Sequence, residues 1–95
     1  MIKAVIIDGK DNVATVLGNA EVGEDIQLIG QDEISTIRAI SKIPRGHKIS
    51  IRDIEKGGPV MKYGEVIGKA LVFIKKGEHV HIHNMDSIRG RFLND

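Results

Sequence analysis

The segment Glu78-His79-Val80-His81-Ile82-His83-Asn84 places three of the chain's four histidines at two-residue spacing. Side-chain direction alternates along a β-strand, so the three imidazoles are predicted to share one face while Val80 and Ile82 point toward a core. Alternation of polar and apolar residues over this length is typical of a half-buried strand. The segment therefore predicts a strand that carries a row of histidines.

A row of histidines at this spacing is compatible with a metal site. Side chains at positions i and i+2 lie about 6.7 Å apart along a strand, a gap that two imidazoles can close onto one divalent ion. Two protein ligands leave coordination positions open for a substrate. The alternative is an ordinary amphipathic strand whose histidines are only solvated. The row alone identifies no reaction.

Length and composition indicate one small, mostly β domain that spans residues 1–95. A chain of this size buries roughly two-thirds of its unfolded surface, so any site is expected to be shallow unless a partner covers it. The sequence is 41% hydrophobic but has only one tyrosine, two phenylalanines and no tryptophan. Its core is therefore predicted to be aliphatic, and a core rich in isoleucine and valine favours strands.

Residue types that are missing narrow the function classes. The chain has no cysteine, so a metal must be held by histidine, carboxylate or amide groups or by substrate oxygens. No apolar run approaches 18 residues, and Lys3 and Asp8 interrupt the opening segment. We therefore expect a cytoplasmic protein with no membrane segment.

Charge is distributed unevenly along the chain. Residues 1–42 carry four basic and seven acidic side chains, whereas residues 43–95 carry ten basic and six acidic ones. The histidine segment lies in the basic part, which would attract an anionic small molecule. Nucleic acid is not expected as a partner, because no run of four Lys or Arg occurs and aromatic stacking platforms are nearly missing.

Turn residues divide the chain into short predicted strands. Residues 2–7 and 12–17 are predicted to form a hairpin around Asp8-Gly9-Lys10-Asp11. Residues 64–68 leave room for one helical turn at most. The histidine strand is expected to run back beside residues 69–74. The other predicted strands cover residues 24–29, 34–43, a short stretch after residue 47, 60–63 and 88–93. The spacing of Ile34, Ile37 and Ile40 also fits a helix, but the β-branched residues of this segment favour a strand.

Two local patterns are notable. Residues 43–47 and 74–79 both run from isoleucine through a turn to glycine and then histidine, which predicts two similarly built turns. Asp11 and Asn12 begin the second strand of the first hairpin, where they are candidates for facing a ligand. Ordinary turn chemistry, in which such side chains bond to nearby backbone, is the simpler interpretation of this pair.

The chain resembles the amino-terminal SAF-type domain of the altronate and galactarate dehydratases over residues 5–84. Four motifs carry the resemblance: Asp11-Asn12-Val13-Ala14; Ile43-Pro44-x-Gly46-His47-Lys48; Ile54-x-Lys56-Gly57-x-x-Val60-x-Lys62-Tyr63-Gly64-x-x-Ile67-Gly68; and Gly77-Glu78-x-Val80-His81-x-His83-Asn84.

This resemblance implies a β-clip fold and the small subunit of a metal-dependent lyase. Its substrate would be a sugar acid such as altronate or galactarate, or a hydroxy acid such as sulfolactate. It also implies a divalent metal, Fe²⁺ or alternatively Mn²⁺, and a hetero-oligomer with a large catalytic subunit. The small subunit alone would be an inactive part of a carbon–oxygen hydro-lyase.

The resemblance also implies roles for individual residues. His79 stands where the family commonly has tryptophan or another residue, so it is left out of the predicted metal ligands. For Lys62-Tyr63-Gly64, a tyrosine packed over a turn is the structural alternative. The implied site has catalytic residues His47, Lys62 and Tyr63, substrate-binding residues Asp11, Asn12, Lys48 and Asn84, and metal ligands His81 and His83.

A rival hypothesis is a non-catalytic module that binds carbohydrate or assists assembly, because a fold does not determine a function. The histidines discriminate between the two. A module that only packs or binds sugars has no need for His47, His81 and His83 together, so the sequence favours the enzyme subunit.

Overall fold

The computed structural model describes residues 1–31 and 34–87, and in these residues the chain forms nine strands and no helix. The mostly β, SAF-like architecture is thereby confirmed. The strand predicted over residues 88–93 lies outside the described residues. The strands are β1 (Ile2–Val5), β2 (Val13–Val16), β3 (Asp25–Ile29), β4 (Ser35–Arg38), β5 (Lys48–Ser50), β6 (Pro59–Lys62), β7 (Glu65–Ala70), β8 (His79–Val80) and β9 (Met85–Ser87).

The strands form two sheets. A six-stranded sheet has the order β4-β3-β1-β2-β5-β8, and a three-stranded sheet has the order β6-β7-β9. The predicted first hairpin is confirmed, because β1 and β2 pair antiparallel with Ala4 opposite Val16. β1 also pairs in parallel with β3. Pairing of β5 with β8 at the edge of the larger sheet brings residues 48–49 beside residues 79–80.

Four turns of the same construction punctuate the chain. Each has a glycine at its third position with φ between 84° and 92°, and each is closed by a hydrogen bond from the fourth backbone N–H to the first carbonyl. A positive φ at the third position is the signature of a type II turn, and glycine is the residue that adopts it without strain. The two similar turns predicted from the sequence are confirmed and belong to this set, whose glycines are Gly23, Gly46, Gly57 and Gly77.

An apolar residue three positions before each of these glycines anchors the turn to its neighbour. Ala20 forms an antiparallel bridge with Ile43, and Ile54 forms one with Ile74. All four side chains are buried. The turns are therefore fixed in pairs, and one member of each pair leads into the part of the chain that carries histidine.

Two aliphatic clusters form the core, as expected from the composition. The first lies under the larger sheet and includes Val16, Ile26 and Ile49. The second joins the two sheets and includes Val60 and Val80. Val80 thus points into a core, as the alternation of the histidine segment predicts. The same prediction is wrong for Ile82, which is 76% exposed because the strand ends at Val80. None of the described residues belongs to a helix that is long and apolar enough to span a bilayer.

The strand predictions for residues 64–74 are wrong in part. Residues 65–70 form strand β7 instead of containing a helical turn, and the strand predicted over 69–74 ends at Ala70. The reason is the two-residue loop Tyr63-Gly64, in which both residues have positive φ, 60° and 72°. Such a loop is the type I′ geometry that matches the twist of a hairpin, so β7 starts directly after it and pairs with β6.

The histidine strand is shorter than predicted and has a different partner. β8 contains only His79 and Val80 and pairs with β5, whereas β7 pairs with β9. Residues 82–84 form a turn. The alternating pattern predicts an extended segment, but the side chain of Asn84 closes this turn, as described below.

Candidate functional site

All four histidines gather on one side of the β5–β8 pair. Lys48 pairs with Val80 and Ile49 with His79, and the same register places His47 opposite His81. The rings of His47 and His81 are stacked with their centroids 4.0 Å apart. His79 lies 5.1 Å from His47 and 5.7 Å from His81. The cluster therefore depends on strand pairing between distant parts of the chain as well as on the spacing of residues 79–83.

Three of the four histidines bring ring nitrogens close together. Nδ1 of His47 lies 2.9 Å from Nε2 of His79, so one ring donates a hydrogen bond and the other accepts it. One nitrogen each from His47, His79 and His81 lie within 4.8 Å of one another. We refer to these three residues as the histidine triad. It includes His79, which the family resemblance leaves out of the metal ligands. His79 joins the triad because β5 pairs with β8, which the sequence motifs do not show.

His83 lies at the margin of this group. Its ring is tilted by 37° against that of His79, with centroids 4.9 Å apart. The side chain is exposed, whereas the three triad residues are half-buried. Of the two predicted metal ligands, His81 belongs to the triad and His83 lies beside it. Their roles as ligands stay predictions.

Asn84 shapes the loop that carries His81 and His83. Its side chain is 2% exposed. The Oδ1 atom accepts a hydrogen bond from the His81 backbone N–H at 3.0 Å, and Nδ2 donates to the His79 carbonyl at 2.8 Å and to Glu78 at 3.4 Å. Because these partners belong to the loop itself, Asn84 holds the histidines in place. Its predicted contact with substrate stays a prediction.

Two lysines make the surroundings of the cluster positive. Burial lowers the pKa of Lys48 below its usual value, and the charge of Lys62 lowers it further. The charge of Lys48 in turn lowers the pKa of His79 and of His81. The structure therefore places Lys48 beside the histidines and Lys62 beside Lys48. The attraction of an anionic molecule to this part of the chain stays a prediction.

Burial and neighbouring charges lower the pKa of two histidines of the cluster, His79 and His81. Burial is the main cause that lowers the pKa of His79 to about 4, and the other histidines and Lys48 lower it further. Burial also lowers the pKa of His81, followed by the charges of His47, Lys48 and His83. His79 and His81 are therefore neutral near pH 7, which leaves a ring nitrogen of each with a free lone pair.

Tyr63 stands at the tip of the β6–β7 hairpin. Its side chain is 49% exposed, and Nζ of Lys62 lies 5.0 Å from the centroid of its ring. This is within the range of a cation–π contact. The tyrosine is thus presented by the turn instead of packed beneath it, and its hydroxyl group is not used for folding in any hydrogen bond among the described residues.

Asp11 and Asn12 have a different position. The Asp11 side chain is 1% exposed and accepts backbone N–H hydrogen bonds from Asp8, Tyr63 and Gly64 at 2.9–3.2 Å. The Asn12 side chain accepts one from Met61 at 2.7 Å and donates to the Pro59 carbonyl at 2.8 Å. We call these two residues the clamp, because they join the larger sheet to the β6–β7 hairpin. Only the contact with Asp8 is the local bond that the turn-chemistry interpretation expects, because the other four partners lie 47 to 53 positions away along the chain. The predicted role of the clamp in substrate binding stays a prediction.

The histidine triad fits the divalent ion that the resemblance implies. Imidazole nitrogen is a good ligand for zinc, iron, copper and nickel, and ligation requires the neutral ring. Three such nitrogens lie within 4.8 Å of one another. The described residues enclose no pocket, so an ion held there would face an open surface.

The sequence was compared with known protein families. The model for the altronate/galactarate dehydratase SAF domain matches residues 2–88. The chain belongs to this family. The family predicted from the four motifs is thereby confirmed, together with its SAF-type β fold.

Individual relatives are enzymes or enzyme subunits. The chain is 41% identical over 78 residues to altronate dehydratase of Escherichia coli, which covers 82% of this chain and 15% of that enzyme. It is 37% identical over 78 residues to altronate dehydratase of Bacillus subtilis, again 15% of that enzyme. It is 35% identical over 88 residues to the (2R)-sulfolactate sulfo-lyase subunit alpha of Chromohalobacter salexigens, which covers 90% of this chain and 94% of that subunit. The chain thus spans a small part of the dehydratases but nearly all of the sulfo-lyase subunit.

Proposed function

We propose that this chain is the small subunit of a metal-dependent lyase that eliminates water, or alternatively sulfite, from an anionic hydroxy acid. The observation that carries the proposal is the grouping of four histidines and two lysines on one open face. Its relatives act on altronate or on (2R)-sulfolactate, as their names state. The substrate class proposed for this chain is therefore a sugar acid such as altronate or galactarate, or a related hydroxy acid such as sulfolactate.

Lys48 and Lys62 are proposed to bind the substrate carboxylate. An ammonium group beside a carboxylate forms a charge-assisted hydrogen bond, which is stronger than a neutral one. The two lysines repel each other in the free chain, since the charge of Lys62 lowers the pKa of Lys48. A bound carboxylate would remove this repulsion, so that anion binding and relief of repulsion act in the same direction.

The reaction breaks a C–H bond beside the carboxylate and a C–O bond on the next carbon, which requires a proton acceptor and a proton donor. Tyr63 is proposed as the donor to the leaving hydroxyl group, because the residue is 49% exposed and its ring lies beside the ammonium group of Lys62. His47 is proposed to hold the metal with its neighbours. The proton acceptor is proposed to lie on the large subunit.

A divalent ion, Fe²⁺ or Mn²⁺, is proposed to be held by the histidine cluster. When bound, it would polarise the substrate carboxylate and assist the departure of the hydroxyl group. The protein's own contribution is to hold the imidazoles close together. Asn84 serves this purpose by fixing the loop of residues 81–84.

A larger catalytic subunit is proposed to cover the histidine face. The cluster lies open, and an elimination needs an environment from which water is excluded. Ile82, between His81 and His83, is 76% exposed and would be buried by such a partner. In the altronate dehydratases the matching segment is 15% of a longer chain. Hydrogen exchange should show protection in residues 78–84 and around Lys62 on complex formation; protection confined to residues 20–40 would contradict this placement.

The function is tested by reconstitution. A large dehydratase-like protein encoded beside this chain's gene would support the proposal. That protein and the chain are purified separately and mixed with altronate, galactarate or sulfolactate. Formation of the keto acid, or release of sulfite, is expected only when both proteins are present. Lys48→Gln should lower the activity of the mixture. Lys56→Gln, on an exposed turn, is the control and should leave the activity unchanged. Turnover by the isolated chain at ordinary enzyme rates would contradict the proposal, and carbohydrate binding without turnover would favour the non-catalytic module.

A further inference from the structure

We infer that His47, His79 and His81 are the three protein ligands of the metal ion and that His83 is not one. This inference deepens the proposed function, on which its biological meaning rests, by naming the ligands in this chain. It differs from the pair expected from the family motifs in two ways. It adds His47 and His79, and it removes His83.

The first support is the distance between nitrogens. Two imidazole nitrogens bound at about 2.1 Å to one ion, at a right angle to each other, lie about 3.0 Å apart. Nδ1 of His47 and Nε2 of His79 are already 2.9 Å apart. A nitrogen of His81 completes a set in which all separations are within 4.8 Å. Small rotations about side-chain torsions are therefore sufficient to direct the three nitrogens at one ion.

The second support is the anchoring of each ligand's backbone. The His79 N–H donates to Oγ of Ser41 at 2.7 Å, and the His81 N–H donates to the Asn84 side chain at 3.0 Å. The His47 N–H closes one of the four type II turns by donating to the Pro44 carbonyl at 3.0 Å. Ligands held by their surroundings lose less conformational entropy on binding an ion, so the triad is better prepared than an exposed pair.

His83 lacks both kinds of support. Its side chain is exposed, and its ring faces that of His79 at an angle of 37° and does not enter the group of close nitrogens. His83 therefore serves as a matched control. It has the same side chain, the same segment and nearly the same neighbours as His81, but a different position relative to the triad.

The nearby lysines affect which ions bind. Lys48 and Lys62 oppose the approach of a cation, so binding must come from the donor preference of the ion and not from attraction between charges. Nitrogen donors favour Zn²⁺, Co²⁺ and Fe²⁺, whereas Mg²⁺ and Ca²⁺ prefer oxygen ligands. The triad is therefore expected to bind the first group of ions and to leave Mg²⁺ and Ca²⁺ unbound.

The test is calorimetric titration of Co²⁺ into the complete chain at neutral pH, with the visible absorption of bound Co²⁺ as a second readout. The parent is expected to bind one ion per chain. His79→Ala and His47→Ala should each weaken binding by at least about tenfold, since each removes one of three ligands. His83→Ala should stay within about twofold of the parent. Circular dichroism checks that each variant is folded.

Several results would overturn the inference. They are no Co²⁺ binding by the folded parent, an unchanged affinity of His79→Ala, or an equal loss for His83→Ala and His79→Ala. Because the readout is ion binding and not turnover, it is separate from the reconstitution experiment. A chain that binds Co²⁺ through the triad but supports no lyase activity would leave the ligand assignment standing and would refute the proposed function.

Discussion

The clamp and the histidine triad are two polar groups of similar size that the same fold treats in opposite ways. Asp11 is 1% exposed, and its carboxylate accepts three backbone hydrogen bonds. The triad histidines are half-buried, and the side-chain contacts that the structure gives for their rings are with one another and with His83. The clamp's polar atoms are thus occupied by the protein backbone, whereas the triad keeps nitrogen lone pairs available on an open face.

This difference separates a structural role from a functional one. A buried carboxylate that satisfies backbone N–H groups contributes to stability, and its removal leaves those groups without partners. Three imidazoles placed side by side, with Lys48 and Lys62 nearby, contribute little to the stability of the fold. The following variants test this separation, in order of decreasing expected effect.

Asp11→Ala should cause the largest loss of stability, about 3 kcal/mol in the free energy of unfolding, because three backbone N–H groups lose their acceptor. Urea unfolding followed by circular dichroism measures it. Asp25→Ala is the control, since Asp25 is exposed and forms one surface ion pair with Arg38 at 3.1 Å, worth less than about 1 kcal/mol. Equal losses in the two variants would show that Asp11 is not part of a clamp.

Asn84→Ala should lower the free energy of unfolding by about 2 kcal/mol and also weaken Co²⁺ binding, since one side chain holds both ends of the histidine loop. Asn84 therefore connects the two roles that the comparison separates. Asn12→Ala, with a similar number of hydrogen bonds in the clamp, should lose stability without losing affinity for the ion. If both variants bind Co²⁺ equally, Asn84 does not position the histidines.

Lys48→Gln should raise the KM of the reconstituted complex for its acid substrate about tenfold, or about 1.4 kcal/mol, while leaving the stability of the chain nearly unchanged. Steady-state kinetics measure the first quantity and urea unfolding the second. A fall in kcat without a change in KM would assign Lys48 to the chemical step and not to carboxylate binding.

The metal-free chain should lose stability in a defined pH range. The pKa of His79 is lowered from its ordinary 6.5 to about 4 in the folded state, so the unfolded chain binds this proton more readily. The stabilising contribution is complete above about pH 6.5 and is lost as pH falls toward 4. Water screens this half-exposed ring, so the effect is the smallest of the four. The free energy of unfolding, measured between pH 4 and 7, should change less with pH in His79→Gln than in the parent. The same pH dependence in both proteins would contradict this prediction.

Local sequence signals predict the parts of the fold that depend on neighbouring residues. The β1–β2 hairpin follows from its turn residues, and the isoleucine-to-glycine spacing at residues 43–46 and 74–77 predicts two of the four type II turns. The other two, around Gly23 and Gly57, have the same glycine but other residues where the predicted pattern has histidine. A search for an apolar residue three positions before a glycine would have found them.

The contacts of the candidate site were harder to predict because they are distant in sequence. The alternation of residues 78–84 predicts a longer strand than exists, since it contains no information that the Asn84 side chain will fold back onto the His81 N–H. His47 and His79 are 32 positions apart in the sequence, and they lie side by side only because β5 pairs with β8. The family motifs identify His47, His81 and His83, but only the strand pairing identifies His79 as their neighbour.

The most direct test of the account compares two variants of the small subunit in the reconstituted lyase. The account predicts that His81→Ala still forms the complex with the large subunit, yet lowers turnover of the acid by at least about 100-fold, a loss of about 2.7 kcal/mol in transition-state stabilisation. Asp25→Ala should retain the activity of the parent. A His81→Ala complex that turns over substrate at the parent's rate would show that the histidine face is not part of the active site.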